Sequence, residues 1–178
     1  MLPFIITVAV VILDQLSKYL ISTNMQVGES FNFTKYILNI TYITNPGASF
    51  GILKDHRWVF MILSTVALVL MAAAIAYFAM KKTHKLFQVA IALMFGGGLA
   101  NMIDRFFRGE VIDFLEFAFV KFAIFNVADS FICIGSVLFC ICVFSGRYSL
   151  FGTTKNKDND ENKNAENPDE ISEKSEET

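Results

Sequence analysis

Four stretches of this chain are long and apolar enough to cross a lipid bilayer, and nothing else in the sequence narrows the possible folds as far. They run over about Pro3–Ser22, Trp58–Met80, Leu86–Ile103 and Asn126–Ser145. Each lies near the roughly 20 residues a helix needs to traverse a hydrocarbon layer about 30 Å thick. A segment surrounded by lipid must satisfy its own backbone N–H and C=O groups, so all four are expected to be helices. Composition agrees: 54% of the 178 residues are hydrophobic, with 19 Phe, and only 18% are charged, too little for an ordinary soluble domain.

The net charge of -2 is unevenly divided. Residues 1–152 carry 11 Lys and Arg against 8 Asp and Glu, whereas residues 153–178 carry 4 against 9. The tail contains one aliphatic residue larger than Ala, Ile171, and cannot bury enough surface to offset its ordering entropy, so 151–178 is expected to be a disordered acidic tail following a 1–150 membrane domain. Lys81, Lys82 and Lys85 lie between the second and third spans, and Arg147, Lys155 and Lys157 follow the fourth. By the positive-inside rule these connections and both termini are cytoplasmic, which places the longer loops, about 23–57 and 104–125, outside the cell membrane. The β-like run Tyr36–Ile43 and the mixed acidic and apolar segment 110–117 predict a small extracytoplasmic cradle of strands. The predicted fold is therefore an all-α membrane protein of four transmembrane helices bearing a small β-rich cradle. No basic patch suited to nucleic acid is present.

Ionisable side chains inside a span are expensive and mark functional candidates. Asp14 and Lys18 stand at i,i+4 in the first span, the acid N-terminal, in the favourable order for pairing. They read either as an ion pair tying this span to the bundle or as substrate contacts, with Lys18 able to snorkel outwards past Ser22. The third span ends with Asn101, Asp104 and Arg105 at i, i+3 and i+4, an amide, a carboxylate and a guanidinium on one helix face. Gly96, Gly97 and Gly98 before them permit close helix packing. Cys133, Cys140 and Cys142 have no metal or disulfide spacing and are expected to be buried, inert thiols. Asp14 and Lys18 within the first apolar run, with no small-residue cleavage site after it, favour a retained span over a removed leader.

Asp113, enclosed by Val111, Ile112, Phe114 and Leu115, and Asp129, opening the fourth span, lack an obvious local cation. Both approach the outer face on the inferred topology. Two carboxyls sharing a site cannot both ionise cheaply, so such a pair holds one proton between them. That suits peptide hydrolysis, in which the ionised member draws a proton from water while the protonated member polarises the scissile carbonyl. The two histidines, His56 and His84, fall in loops on opposite sides, which leaves a Ser or Cys nucleophile without a base, and HExxH is absent. Paired acids also occur in transporters, so from these features alone a small proton-coupled transporter or channel using Asp14, Lys18 and Asp129, or a non-catalytic scaffold, stays open.

Five motifs carry a more specific signal: Asp14-Gln15-Leu16-Ser17-Lys18, Asn45-Pro46-Gly47-Ala48, Asn101-Met102-Ile103-Asp104-Arg105, Gly109-Glu110-Val111-Ile112-Asp113-Phe114-Leu115 and Phe125-Asn126-Val127-Ala128-Asp129-Ser130. In this order, over about 115 residues, they resemble lipoprotein signal peptidase, also called signal peptidase II. The resemblance implies a membrane aspartyl endopeptidase that removes the signal peptide of a diacylglyceryl-modified bacterial prolipoprotein just before the lipidated cysteine. It implies Asp113 and Asp129 as the catalytic pair, with Asn45, Gly47, Asn101, Arg105 and Asn126 lining or bracing the site and Asp14 and Lys18 near it. No cofactor and no metal is implied. Membrane lipid is an expected partner, globomycin-type cyclic peptides are expected inhibitors, and the active unit is expected to be a monomer. The external loops are expected to cover the scissile region as a lid or clamp.

Two positions depart from the family pattern. Ala100 stands where Gly is common, a small-for-small change, and Thr44 stands where an Arg often precedes the Asn-x-Gly motif. Asp104 is the rival to Asp113 for the catalytic role; Arg105 beside it and Asn101 one turn back mark it instead as an ionised structural acid.

Overall fold

The computed structural model of the protein describes residues 1–47, 57–80 and 85–144, in the order α1 (Leu2–Asn24), β1 (Ser30–Thr34), β2 (Leu38–Asn45), α2 (Arg57–Met80), α3 (Lys85–Phe107), β3 (Val111–Phe117) and α4 (Val127–Phe144). The acidic tail, His56, His84 and the 48–56 part of the loops expected to act as a lid or clamp lie outside the described residues. All four helices are long and apolar enough to cross a membrane, so the four predicted spans are present with ends shifted by a few residues.

Each span is patterned by what it packs against. In α1 the buried residues are Pro3, Thr7, Val10, Asp14 and Lys18, a single stripe at helical spacing that includes both charges. The opposite face presents Phe4, Ile5, Ile12, Leu16 and Leu20 outwards, as lipid contact requires. Central in the bundle, α3 packs on α1, α2 and α4. Its contact with α4 depends on small residues, for Ala128, Gly135 and Cys142 recur every seventh position on the buried face of α4. A Cβ on Gly135 would come within 2.7 Å of the Ala90 carbonyl oxygen, and one on Gly97 would overlap the carbonyl oxygen of Ala128. The helix backbones meet directly, which brings the end of α3 against the start of α4.

Of the three thiols only Cys142 is buried; Cys133 and Cys140 are exposed on α4. The expectation of three buried cysteines is corrected here. A thiol is apolar enough to face lipid as readily as core.

The strands form one antiparallel sheet in the order β1-β2-β3. Ser30 pairs with Thr41 and Phe31 with Ile40 between the first two strands, and Ile43 pairs with Asp113 and Asn45 with Val111 between the last two. The predicted run from Tyr36 starts two residues late because Tyr36 has φ 70 and belongs to the β1–β2 turn. β1 was not foreseen: it is a five-residue edge strand, exposed throughout. Ile40, Tyr42, Ile112 and Phe114 form the sheet's core and pack against Ile21, Met25 and Val127, so the sheet rests on one end of α1 and α4. Burial of each such side chain contributes about 1.5–3 kcal/mol.

Two short links aim the sheet at the helices. Gly109, at φ 86, ends α3 by returning its N–H to the Asp104 carbonyl, and β3 begins two residues later. At the other end Phe125 exchanges backbone hydrogen bonds with Leu115 immediately before α4. Asp113 is thereby held between the end of α3 and the start of α4.

Candidate active site

The N-terminus of α4 organises the site. Its first amides have no partners within the helix and need acceptors from elsewhere. Asn126 supplies one, since its Oδ1 accepts the Asp129 N–H at 2.9 Å while Asp129 Oδ2 accepts the Asn126 N–H at 3.3 Å. This reciprocal pair is a capping box. Asp14, reaching across from α1, accepts the Ala128 N–H at 2.8 Å. Two carboxylates therefore lie at a helix end whose dipole favours negative charge.

The amides of Asn126 and Asn101 link Asp113 to Asp129. Asn126 Nδ2 donates to Asp113 Oδ1 at 2.6 Å and to Asn101 Oδ1 at 3.1 Å. Asn101 Nδ2 donates to Asp129 Oδ1 at 2.8 Å. Asp113 also accepts at Oδ2 from Asn45 Nδ2, at 2.9 Å. Asn126 thus bonds to both Asp113 and Asp129. Asp113 is buried at 2% exposure, whereas Asp129 is only half-buried. Burial is the largest influence on Asp113 and raises its pKa to about 6 from an ordinary 3.8; the Asp129 charge pushes the same way, against the Asn45 and Asn126 hydrogen bonds and the Lys18 charge.

Beneath this pair lies a buried ionic cluster. Lys18 Nζ sits 2.7 Å from Asp14 and 2.7 Å from Asp104, and donates to Asn101 Oδ1 at 2.9 Å. Its exposure is zero. Two expectations are corrected. Lys18 does not snorkel outwards, because two carboxylates and an amide enclose it. The cations of Asp104 are Lys18 and Arg108, the latter at 3.4 Å, and not the adjacent Arg105. Successive residues on a helix point about 100° apart, which turns Arg105 toward the Asn101 and Gly47 carbonyls at 3.1 and 3.3 Å. Gly47 N–H in turn donates to Asn45 Oδ1, so the first loop is fastened to α3 beside Asp113.

Every residue singled out from the sequence enters this one network: Asp14, Lys18, Asn45, Gly47, Asn101, Asp104, Arg105, Asn126, Asp113 and Asp129. Sequence reasoning gave no role to Gln15, whose Nε2 donates to Asp104 Oδ1 at 3.1 Å and to the Ala100 carbonyl at 3.3 Å. An amide beside two charges inside a span was the available signal. Thr44 pairs with Ile112 across the sheet, one residue from Asn45. Among the described residues no cluster of His, Cys, Asp and Glu is arranged to hold a metal. Asp14, Lys18, Asp104, Arg105 and Asp129 gather at one end of the bundle, while α2 carries no Asp, Glu, Lys or Arg from Trp58 to Met80.

An acid and amide network closed under a small sheet at one end of four spans defines a multi-pass membrane enzyme, and solved structures agree. Two bacterial membrane enzymes determined by the in meso method are similar. The one at 2.3 Å resolution has TM-score 0.72 and 38% identity, covering 88% of this chain and 92% of that one; the one at 1.9 Å has TM-score 0.68 and 40% identity, covering 80% and 92%. The family model described as signal peptidase (SPase) II matches residues 6–145. Proteins named lipoprotein signal peptidase are 41% identical in Bacillus pumilus, over 86% of this chain and 100% of that protein, and 44% identical in Staphylococcus aureus, over 78% and 85%. The chain belongs to the signal peptidase II family.

Proposed function

We propose that this protein is an aspartic endopeptidase that removes signal peptides from diacylglyceryl-modified prolipoproteins, cleaving before the lipidated cysteine. The observation that carries the reading is the joint hold of Asn126 on Asp113 and Asp129, in surroundings that favour a proton on one acid and a charge on the other. Asp129 is the member that takes the proton from water: it caps a helix N-terminus, accepts from Asn101 and is half-buried where Asp113 is buried. Asp113, buried and raised to about 6, is the member that holds the proton.

Asp129 takes a proton from a water molecule as its oxygen bonds to the scissile carbonyl carbon, while Asp113 gives its proton to the carbonyl oxygen. The tetrahedral diol then collapses. The carbon–nitrogen bond breaks, Asp129 returns a proton to the leaving amine, and Asp113 recovers one from the diol hydroxyl. Asn45, Asn101 and Asn126 hold the carboxylates at their donor-facing oxygens, and Arg105 and Gly47 anchor the first loop beside them.

The distribution of Lys81, Lys82 and Lys85 supports a site at the extracytoplasmic face with both termini inside. There the substrate's lipid lies in the outer leaflet and its scissile bond near the headgroups. The chain acts as a monomer, and globomycin-type cyclic peptides inhibit it by occupying the same site. The tail beyond residue 150 takes no part in the chemistry.

Purified protein in vesicles, given a diacylglyceryl-modified prolipoprotein, is expected to release the intact signal peptide, with loss of release for Asp113→Asn and for Asp129→Asn separately. Full activity in either variant overturns the mechanism. Cleavage of unlipidated precursor at the same rate overturns the substrate.

A further inference from the structure

The sheet has two chemically distinct faces where β1 meets β2. Ser30, Asn32, Asn39 and Thr41 stand on one face, paired as Ser30 with Thr41 and Asn32 with Asn39. That face is laced by hydrogen bonds from Ser30 to Thr41 and from Thr41 and Asn39 to Glu116. Phe31, paired with Ile40, lies on the other. Ile40 is buried against the end of α1 through Ile21 and Met25, yet Phe31, one strand further out, is 48% exposed and Phe33 beyond it 64%. The apolar face therefore overhangs the helix bundle. In the last turns of α1, Tyr19 and Leu20 are exposed as well, apolar surface at the same end of α1 that the sheet rests on.

Cations border this overhang. Lys35 lies over the ring of Tyr36 in the turn after β1, and the Ala118 N–H to Ile37 carbonyl bond brings the loop with Phe119 and Lys121 alongside. Ile37 and Phe119 are 60% and 68% exposed. Exposed aromatic rings with flanking lysines are the composition of a segment lying at a membrane interface, rings among the upper acyl chains and ammonium groups at the phosphates.

We propose that the overhanging β1 face is a lipid-binding surface, with Phe31 and Phe33 seated in the bilayer interface and Lys35 and Lys121 against phospholipid phosphates. A face immersed about 5–10 Å, the usual depth of interfacial segments, holds the sheet flat on the membrane. Asp113, on the same sheet, is thereby fixed at one depth relative to the headgroups.

Tryptophan depth measurements test this without reference to enzymatic activity. In a Trp58→Phe background, Phe31→Trp and Asn32→Trp variants of the full chain are placed in phosphatidylglycerol and phosphatidylethanolamine vesicles whose acyl chains are brominated near the glycerol. Neighbouring positions on a strand face opposite ways. Fluorescence of the Phe31→Trp protein is expected to be quenched several-fold more than that of the Asn32→Trp protein, with a blue-shifted maximum. Equal quenching of both, or none with full access to an aqueous quencher, overturns the proposal; the second result assigns the face to a soluble protein partner. Phe119→Trp, in the neighbouring loop, is expected to behave as Phe31→Trp and supplies the test should position 31 tolerate no change.

Discussion

Replacing Lys18 with Met removes the one fully buried cation among the described residues. The methionine fills a similar volume but leaves Asp14 and Asp104, each 2.7 Å from the lost nitrogen, facing one another in a site of zero exposure. Breaking a buried ion pair by removing one partner typically costs about 3–5 kcal/mol, because the remaining charge is stranded. Asn101 Oδ1 loses one of its two donors as well, for about 1 kcal/mol more. The total of about 4–6 kcal/mol corresponds to a fall in melting temperature on the order of 10–20 °C for a chain of this size. Thermal unfolding in mild detergent at neutral pH measures it. Adding Asp14→Asn and Asp104→Asn to Lys18→Met is expected to recover most of the loss, since neutral amides no longer repel. A loss in the single variant below about 1 kcal/mol would refute the argument, for that is the scale of a hydrated surface pair.

Three further outcomes follow from the same geometry. Asp113 has a folded pKa of about 6 against an ordinary 3.8, so its contribution to stability is fully present below 3.8 and is lost as pH rises through about 6; the roughly 2 units amount to about 3 kcal/mol. Asp113→Asn is expected to flatten the melting temperature between those limits, and in the parent protein kcat/KM is expected to fall as pH rises through about 6, checked with buffered melts and initial rates. Gly97→Ala places a methyl group against the Ala128 carbonyl and pushes α3 from α4, with an expected loss of about 1–3 kcal/mol by thermal unfolding and reduced cleavage, because Asn126 and Asp129 move with α4. Asn126→Ala removes the helix cap, worth about 1 kcal/mol, yet is expected to lower the cleavage rate far more than that would imply, since Asp113 loses a donor and the Asp129 N–H loses the acceptor that positions it.

Much of this architecture was legible because lipid leaves few alternatives for an apolar segment. Each span could be read from length and hydropathy alone, and the Asp14–Lys18 pair from its i,i+4 spacing. The five motifs named the acids and amides that meet at the site, but not Arg108, which lies between two of them and pairs with Asp104. What spacing could not supply was direction: adjacency in sequence tied Arg105 to Asp104, whereas helix geometry gives Asp104 to Lys18 from another span. β1 escaped because Ser30–Thr34 is short and its partner is fixed by pairing, not by its own composition. Likewise Cys133 and Cys140 read as buried because an apolar environment was equated with the protein interior, although for α4 it includes the bilayer. The bonding of Asn126 to two acids depends on the Phe125–Leu115 bridge, a contact between distant parts of the chain with no local signature.

The claim on which the mechanism depends is that Asp113 and Asp129 share one electrostatic site, and carboxyl titration measures this most directly. With aspartate carboxyl groups isotopically labelled and followed by NMR or infrared spectroscopy, Asp113 is expected to titrate near 6. In Asp129→Asn its midpoint is expected to fall while staying above 3.8, since burial persists and only the neighbouring charge is gone. An Asp113 midpoint near 3.8 in the parent protein, or one unmoved by Asp129→Asn, would contradict the account.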